Sequence, residues 1–304
     1  MQDQIRYVKR KDIDTQKWNE CIRNAPAAII YVYSYYLDAI ADQWDALIKN
    51  DYEAVLPLTW KEKYGIKYIY QPFFMAQTGV FGQNITETIL NDFIDAIPLE
   101  FKYVDIDLHE TNFSEAVTIF SSARTNMILS LDQAYDSLHE KYHRLAKRMI
   151  RKSLDAGLQV DEVTGIEETI SFYSNIYEPR VKIGKEAYRR LSGMLTIAQS
   201  KNELITLAAR YNGNIVGIYN LMMDDRNVYS VVGGSSEEGK ENGAFYFLTD
   251  FALKKTCDSK RTFRFEGSDK KEIAFFNQQF GAKAIDYPHL KKNRLPILLR
   301  WLKR

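Results

Sequence analysis

Apolar residues recur along this chain at two spacings, and the change from one to the other marks its elements. Leu138, Tyr142, Leu145 and Met149 stand four, three and four residues apart, the repeat of one helical face. Ser130 and Gln133 have the spacing of a capping box ahead of that helix, and Gly157 stands where its C-cap belongs. The pattern predicts further helices over 169–176, 185–198, 243–255 and 271–280, the last closed by Gly281. Strands are predicted over 204–210, 215–223, 228–232, 262–266 and 284–289. Asn212-Gly213 joins the first two as a hairpin, Gly217 is a candidate bulge, and residues 224–227 turn the chain into the third. The order after residue 130 is helices, a three-stranded meander, helix, strand, helix, strand. That is a mixed α/β (α+β) arrangement, with antiparallel pairing first and a crossover helix later.

The first half repeats this order. Strands over 46–48 and 52–58 flank a turn at Asn50-Asp51, a helix follows over 86–96 and a strand over 101–108. About 55 residues separate Asp51 from Ile106, and about 53 separate Asn212 from Phe265. Two copies of one α/β unit explain that match, with a boundary near residues 129–132: domains 1–130 and 131–304. The length agrees, since 304 residues suit two domains of about 150 each.

Charge and composition then narrow the function. Lys+Arg 41 against Asp+Glu 40 excludes a bulk polycation, so phosphate binding requires a local patch and DNA is not an expected partner. Two cysteines, Cys21 and Cys257, exclude a disulfide scaffold and a Cys-rich zinc module. The charged N-terminal stretch has no apolar signal region, and no apolar run has membrane-spanning length. The expectation is a soluble, cytoplasmic protein.

Five stretches carry candidate chemistry. His139-Glu140-Lys141-Tyr142-His143 is a literal H-E-x-x-H in a predicted helix, a zinc-hydrolase pattern that Glu162 or Glu167 could complete. Six cations on the same helix oppose a dication there, and no metal is expected. Among them Arg144, Lys147 and Arg148 read either as a solvated face or as a wall for phosphate. Residues 228–243 run a strand through glycines to a helix start, a place where backbone can approach a ligand. Glu266, at a strand end before Gly267, is a candidate general base or a salt-bridged carboxylate. Residues 67–82 are aromatic and nearly uncharged. There Tyr70, Gln71, Phe74 and Gln77 line a site or a core loop.

These segments, taken in order, resemble the GNAT acyltransferase superfamily, and the whole chain resembles its tandem, FemAB-like group. The resemblance rests on HRLAKRMIRKSLDAGLQV, LAARYNGNIVGIYNLMM, NGAFYFLTDFALKKTC with FRFEGS, and FFNQQFGAKAIDY. AVLPLTWKEKYGIKYIYQPFFMAQTGVF is similar to the N-terminal domain of bacterial members. The resemblance implies two GNAT-like domains with mixed central sheets and a cleft between them. It implies transfer of an acyl or aminoacyl group from acyl-CoA or aminoacyl-tRNA to the amine of a small molecule or peptide. It sets Val231, Val232 and Gly233 at the strand edge that pairs with a pantetheine-like donor. Lys240, Asn242, Gly243 and Ala244 fall at the pyrophosphate turn. Beside the resemblance, Tyr70, Gln71, Phe74 and Gln77 are expected to line the acceptor side, and the first domain, with no Gly-rich turn after its strands, is expected to have lost donor binding. Two positions depart from the acetyl-CoA pattern: GKENGA does not match the usual glycine motif, and Asn277 stands where many members carry an acidic Tyr. They keep open a non-catalytic GNAT-like protein that binds a ligand or partner.

Overall fold

The computed structural model describes residues 4–112 and 121–296. The chain divides into two compact units, Met1–Arg124 with Asp286–Arg304, and Thr125–Ile285. In the first unit β1 (Ile5–Lys9), α1 (Thr15–Asn24), α2 (Ser34–Ile40), β2 (Gln43–Lys49), β3 (Ala54–Lys63), β4 (Ile66–Tyr70), β5 (Phe81–Gly82), α3 (Glu87–Asp95) and β6 (Phe101–Asp107) follow in order. The second unit contains β7 (Ser122–Ser130), α4 (Tyr135–Glu140), α5 (Arg144–Asp155), β8 (Gln159–Glu162), α6 (Ile166–Tyr177), α7 (Lys185–Ser200), β9 (Leu204–Tyr211), β10 (Asn214–Met223) and β11 (Asn227–Ser235). It continues through α8 (Glu237–Glu241), α9 (Ala244–Thr256), β12 (Thr262–Arg264) and α10 (Lys271–Gln278), and β13 (Lys283–Asn293) ends the described elements.

Both units use one plan. A strand and two helices lead into an antiparallel meander, and a helix then carries the chain to a strand parallel to the last meander strand. Strand order is β1-β2-β3-β4-β6-β13 in the first and β8-β9-β10-β11-β12-β7 in the second. β4 pairs β6 in parallel, and β11 pairs β12 in parallel. The sixth strands are exchanged. β7 follows β6 in sequence but pairs β12, while β13 follows β12 but pairs β6. The sequence-level cut after residue 130 falls between β7 and α4.

Each unit closes over its own core. In the first, Leu56, Leu58, Ile69, Phe93, Phe101 and Ile106 are buried together with Leu290 of β13. In the second, Leu207, Tyr219, Leu221, Leu248, Phe263 and Phe280 form the centre. No helix among the described residues is long and apolar enough to cross a membrane.

The predicted long helix from residue 131 is interrupted. Gln133 uses its side-chain amide on the Ser130 carbonyl, so no capping box forms, and α4 starts only at Tyr135. Tyr142 turns inward onto the Phe280 ring, 5.1 Å between centroids. The His143 N–H donates to the Gln279 carbonyl at 2.8 Å, in place of the helical partner at His139, and α5 restarts with His143 as its N-cap. Tertiary capture of one N–H outweighs helix continuity here. Two strands also differ in length from their pattern. β11 runs on to Ser235, and β12 stops at Arg264 because Glu266 and Gly267 take left-handed conformations, φ 55° and 63°.

The first unit holds β13 through a buried polar network. Asp107 accepts from Arg124 Nη1 at 2.7 Å and lies 2.8 Å from His289 Nδ1. The other ring nitrogen of His289 is 3.3 Å from Asp105. Asp107→Asn takes a charge from a buried network, which costs about 3 kcal/mol. The midpoint of thermal unfolding is expected to fall by about 6–12 °C. A midpoint within a degree of the parent, followed by circular dichroism, would contradict this account.

Candidate functional site in the second unit

The site is built where β11 leaves β12. Parallel pairing covers only Asn227–Tyr229 against Thr262–Arg264, although β11 extends six residues further. On its other side β11 stays paired with β10 to Ser235, with one irregularity. Ser230 pairs with Leu221 and Val232 with Asn220, so Val231 is an inserted residue. This bulge re-aims backbone groups just past the point of divergence. β10 carries a second bulge, at Val216, beside the anticipated Gly217.

Val231, Val232 and Gly233 thus stand on the stretch of β11 that β12 does not cover. The Tyr177 hydroxyl, from the end of α6, donates to the Gly233 carbonyl at 3.1 Å. Its ring lies over Gly234, where an added Cβ would sit 3.0 Å from Tyr177 Cε2. Tyr173 stacks on Tyr177 at 4.4 Å, and burial raises the Tyr177 hydroxyl above the ordinary phenol range, with Arg180 acting against it.

After β11 the chain makes a tight turn. Ser236 caps α8, its hydroxyl accepting from the Gly239 N–H at 3.1 Å. Lys240 pairs with Glu237 at 2.7 Å, and the Asn242 side chain donates to the Glu238 carbonyl at 3.1 Å. Gly243 is left-handed, φ 76°, and caps α9. A Cβ there would meet the Met149 carbonyl at 2.7 Å, so this position requires glycine for both conformation and space. Ala244 is fully buried behind it.

The contact partner is α5, the basic helix. Ser153 donates to the Asn242 carbonyl at 2.7 Å, fixing α5 against the start of α9. Arg144 and Arg148 are exposed, and Lys147 donates to the Glu140 carbonyl at 2.9 Å. Burial raises the Tyr246 hydroxyl in the first turn of α9, and the Arg148 guanidinium opposes that rise. The fold therefore brings together two stretches that the sequence marks separately, the cationic helix and the glycine turn. Lys240, and then Arg180, pair with Glu237 and lower its carboxyl below the ordinary range.

Glu266 follows β12 at the divergence. It accepts from Asn126 Nδ2 at 2.9 Å, and Arg264 Nε lies 3.4 Å from its other oxygen. Arg264 is buried, so the salt-bridged reading of this carboxylate has its partner. Asn277 is buried and donates to Ser268 at 3.0 Å.

H-E-x-x-H does not form one helical face, because α4 ends at Glu140 and His143 caps α5. His139 packs between the rings of Tyr135 and Tyr142. The pattern is an aromatic contact and a helix boundary. Among the described residues no three His, Cys, Asp or Glu side chains converge as a metal site.

The other four candidates lie in the first unit. The Tyr70 hydroxyl donates to Asp42 at 2.6 Å, with Lys61 over its ring. Gln71 donates to the Met75 carbonyl at 2.8 Å and accepts from the Asp107 N–H at 3.2 Å. The Phe74 carbonyl accepts from the Tyr36 hydroxyl, and Gln77 is buried. Sequence reading missed Tyr177 and the pair Asp107–His289. Asp105 and Asp107 were visible as charges at period two inside an apolar strand, a signal of one polar face. Tyr173 and Tyr177, four apart on a helix, were visible only as amphipathic spacing. A cavity of about 720 Å³ is lined by Glu162, Lys255, Cys257 and Arg261 among others, and contains none of the donor- or acceptor-site candidates.

This arrangement has the tandem GNAT, FemAB-like fold. The chain is similar to the crystal structure of FemX, with 12% identity, TM-score 0.66, and 96% of this chain and 99% of that one covered. It is similar to a tandem GNAT protein from the clavulanic acid biosynthesis pathway, with 12% identity, TM-score 0.59 and 96% and 99% coverage. L-PGS from Bacillus licheniformis aligns with 9% identity, TM-score 0.56 and 95% of each chain. No family model matches the sequence, and no curated protein matches it.

Glu266→Ala removes a carboxylate from buried Arg264 and should cost about 3 kcal/mol. Denaturant unfolding is the check, and stability equal to the parent would show that the pair does not hold the turn.

Proposed function

We propose that this protein is an acyltransferase that moves an acyl or aminoacyl group from a thioester or ester donor to a substrate amine. The donor binds in the second unit. One observation carries the reading: β11 parts from β12 after three pairs and exposes a bulged edge. An extended chain bearing amides, such as the pantetheine arm of CoA, completes such an edge by hydrogen bonding to it. Backbone N–H groups at Val231 and Val232 are the candidates to polarise the donor carbonyl. The turn at Lys240, Asn242, Gly243 and Ala244, beside Arg144, Lys147 and Arg148, would take the diphosphate. The tandem GNAT protein named above is described without AcCoA, and that name points to the same donor class.

The amine must attack as a neutral nucleophile, so a proton leaves it during the reaction. Glu266 is a candidate acceptor for that proton, with one of its oxygens 3.4 Å from Arg264 Nε. In the first unit the corresponding parallel strands are bridged by the Gln71 side chain, which supports a role other than donor binding. Tyr70, Phe74 and Gln77 belong to that unit and are proposed for the acceptor. Aminoacyl-tRNA is the second donor class, since exposed cations on α5 suit any phosphate.

Calorimetric titration of the full chain with CoA and acetyl-CoA tests the reading. Saturable binding is expected, weakened about tenfold by Arg148→Glu, equal to 1.4 kcal/mol. No binding at millimolar ligand would remove CoA donors and turn the test to aminoacyl-tRNA, whose binding must weaken steeply with salt.

A further inference from the structure

The first unit contains a cavity of about 550 Å³ that plays no part in the proposed acyl transfer. Its walls follow from the hairpin between β2 and β3. Asn50 and Tyr52 take left-handed conformations there, φ 49° and 63°, and the chain returns as β3 at Ala54. β5 pairs beside that return, Ala54 with Gly82 and Val55 with Phe81. A Cβ at Gly82 would sit 2.6 Å from the Glu53 carbonyl, so glycine lets β5 come this close to the hairpin. α1 closes another side, where the Cys21 thiol lies 3.6 Å from the Phe81 carbonyl. Burial pushes that thiol up to about 11, so it serves as wall rather than nucleophile.

The charges along this cavity differ in their commitments. Lys17 already holds Asp51, at 2.7 and 2.8 Å. Lys49 is the buried cation, its side chain 11% exposed, with the Glu53 carboxylate 3.7 Å away, longer than a direct hydrogen bond. Taking an ammonium out of water is costly, and a ligand carboxylate beside it offsets that cost. Glu20 is exposed, and no ion pair among the described residues holds it. The side-chain amides of Asn24, Gln83 and Asn84 also line the cavity and have no hydrogen-bond partner among the described residues. Ile85 and Ile89 supply the apolar part of the wall. A buried cation, a carboxylate, amides and an apolar wall together match a molecule with a carboxylate, an ammonium and an apolar side chain. We propose that this cavity binds a small zwitterion, an apolar α-amino acid or a dipeptide, its carboxylate toward Lys49 and its ammonium toward Glu20. The site lies wholly in the first unit and does not depend on acyl transfer in the second.

Calorimetric titration of the full chain with L-leucine and with glycyl-L-leucine tests the site. Saturable binding is expected, and the tighter of the two reports how far apart Lys49 and Glu20 hold the ligand's ends. The amide of that ligand, which lacks the carboxylate, and its N-acetyl form, which lacks the ammonium, should each bind about tenfold more weakly. Lys49→Met and Glu20→Gln should each lower affinity by a similar factor, with circular dichroism matching the parent. If Lys49→Met does not fold, Glu20→Gln and the two altered ligands decide the matter. No saturable binding of either zwitterion at millimolar concentration would overturn the proposal. So would undiminished affinity for the amide and N-acetyl forms, or unchanged affinity in the folded variants. Acyl transfer would stand in each of these cases.

Discussion

The second unit depends on a strand that loses its neighbour. Backbone N–H and C=O groups need partners when buried, so two parallel strands do not part without compensation. β11 and β12 part after three residue pairs, and the surrounding features answer that break. Val231 is inserted as a bulge, which bends the strand away. On the other strand Glu266 and Gly267 turn left-handed, and Arg264 with Asn126 anchors the carboxylate that follows. A left-handed Glu is costly by about 1–3 kcal/mol. Its hydrogen bonds offset that cost locally, which explains why the turn persists. Tyr177 then covers one carbonyl of the widened edge. A single geometric event thus sets the placement of the bulge, the buried ion pair and the aromatic cap.

The first unit contains the same parallel pair, β4 with β6, and resolves the parting differently. After Tyr70 the chain detours and returns, so that the Thr78 N–H donates to the Asp107 carbonyl at 2.7 Å. In the interval Gln71 reaches across, occupying the Asp107 N–H and the Met75 carbonyl. The gap is filled by the chain's own amide side chain. Two copies of one plan therefore differ at this parting: in one the gap is bridged by Gln71, and in the other the Tyr177 hydroxyl meets the Gly233 carbonyl. The exchange of β7 and β13 adds a constraint. The first unit receives its sixth strand, β13, from beyond the second unit in sequence, so its sheet is not complete without a distant segment, whereas the second unit opens on its own sixth strand, β7.

Local signals were readable and long-range ones were not. Asn212-Gly213 forms its hairpin turn, and both residues take positive φ, as a type I′ turn requires. The helices predicted over 169–176 and 185–198 appear as α6 and α7, because their apolar spacing is local. The break at Tyr142 and His143 was invisible, since its cause lies at Phe280 and Gln279, more than a hundred residues away. The extra length of β11 was hidden by Gly233 and Gly234, which lower strand propensity yet are needed where the rings of Phe245 and Tyr177 press on the backbone. The candidate site was half legible. Cations on α5 and glycine at 243 stand out in the sequence, and the packing of Ser153 on Asn242 joins them. Tyr177 carries no motif, and its meaning comes only from the carbonyl it meets.

Charge at the turn follows the same logic of local pairing. α8 brings Glu237, Glu238 and Glu241 close to a place proposed for phosphate, which would oppose an anion if those charges stood alone. Glu237 is already shared between Lys240 and Arg180, at 2.7 and 2.9 Å. Exposed pairs of this kind add little to stability, about 0–1 kcal/mol. Their effect on the local field is larger, because together they neutralise the Glu237 carboxylate near the turn. Across from them, no ion pair among the described residues holds Arg144 or Arg148. Of the three carboxylates of α8, Glu237 alone is held in an ion pair among the described residues, so any excess of positive charge at the start of α9 comes from the basic helix rather than from compensation within α8.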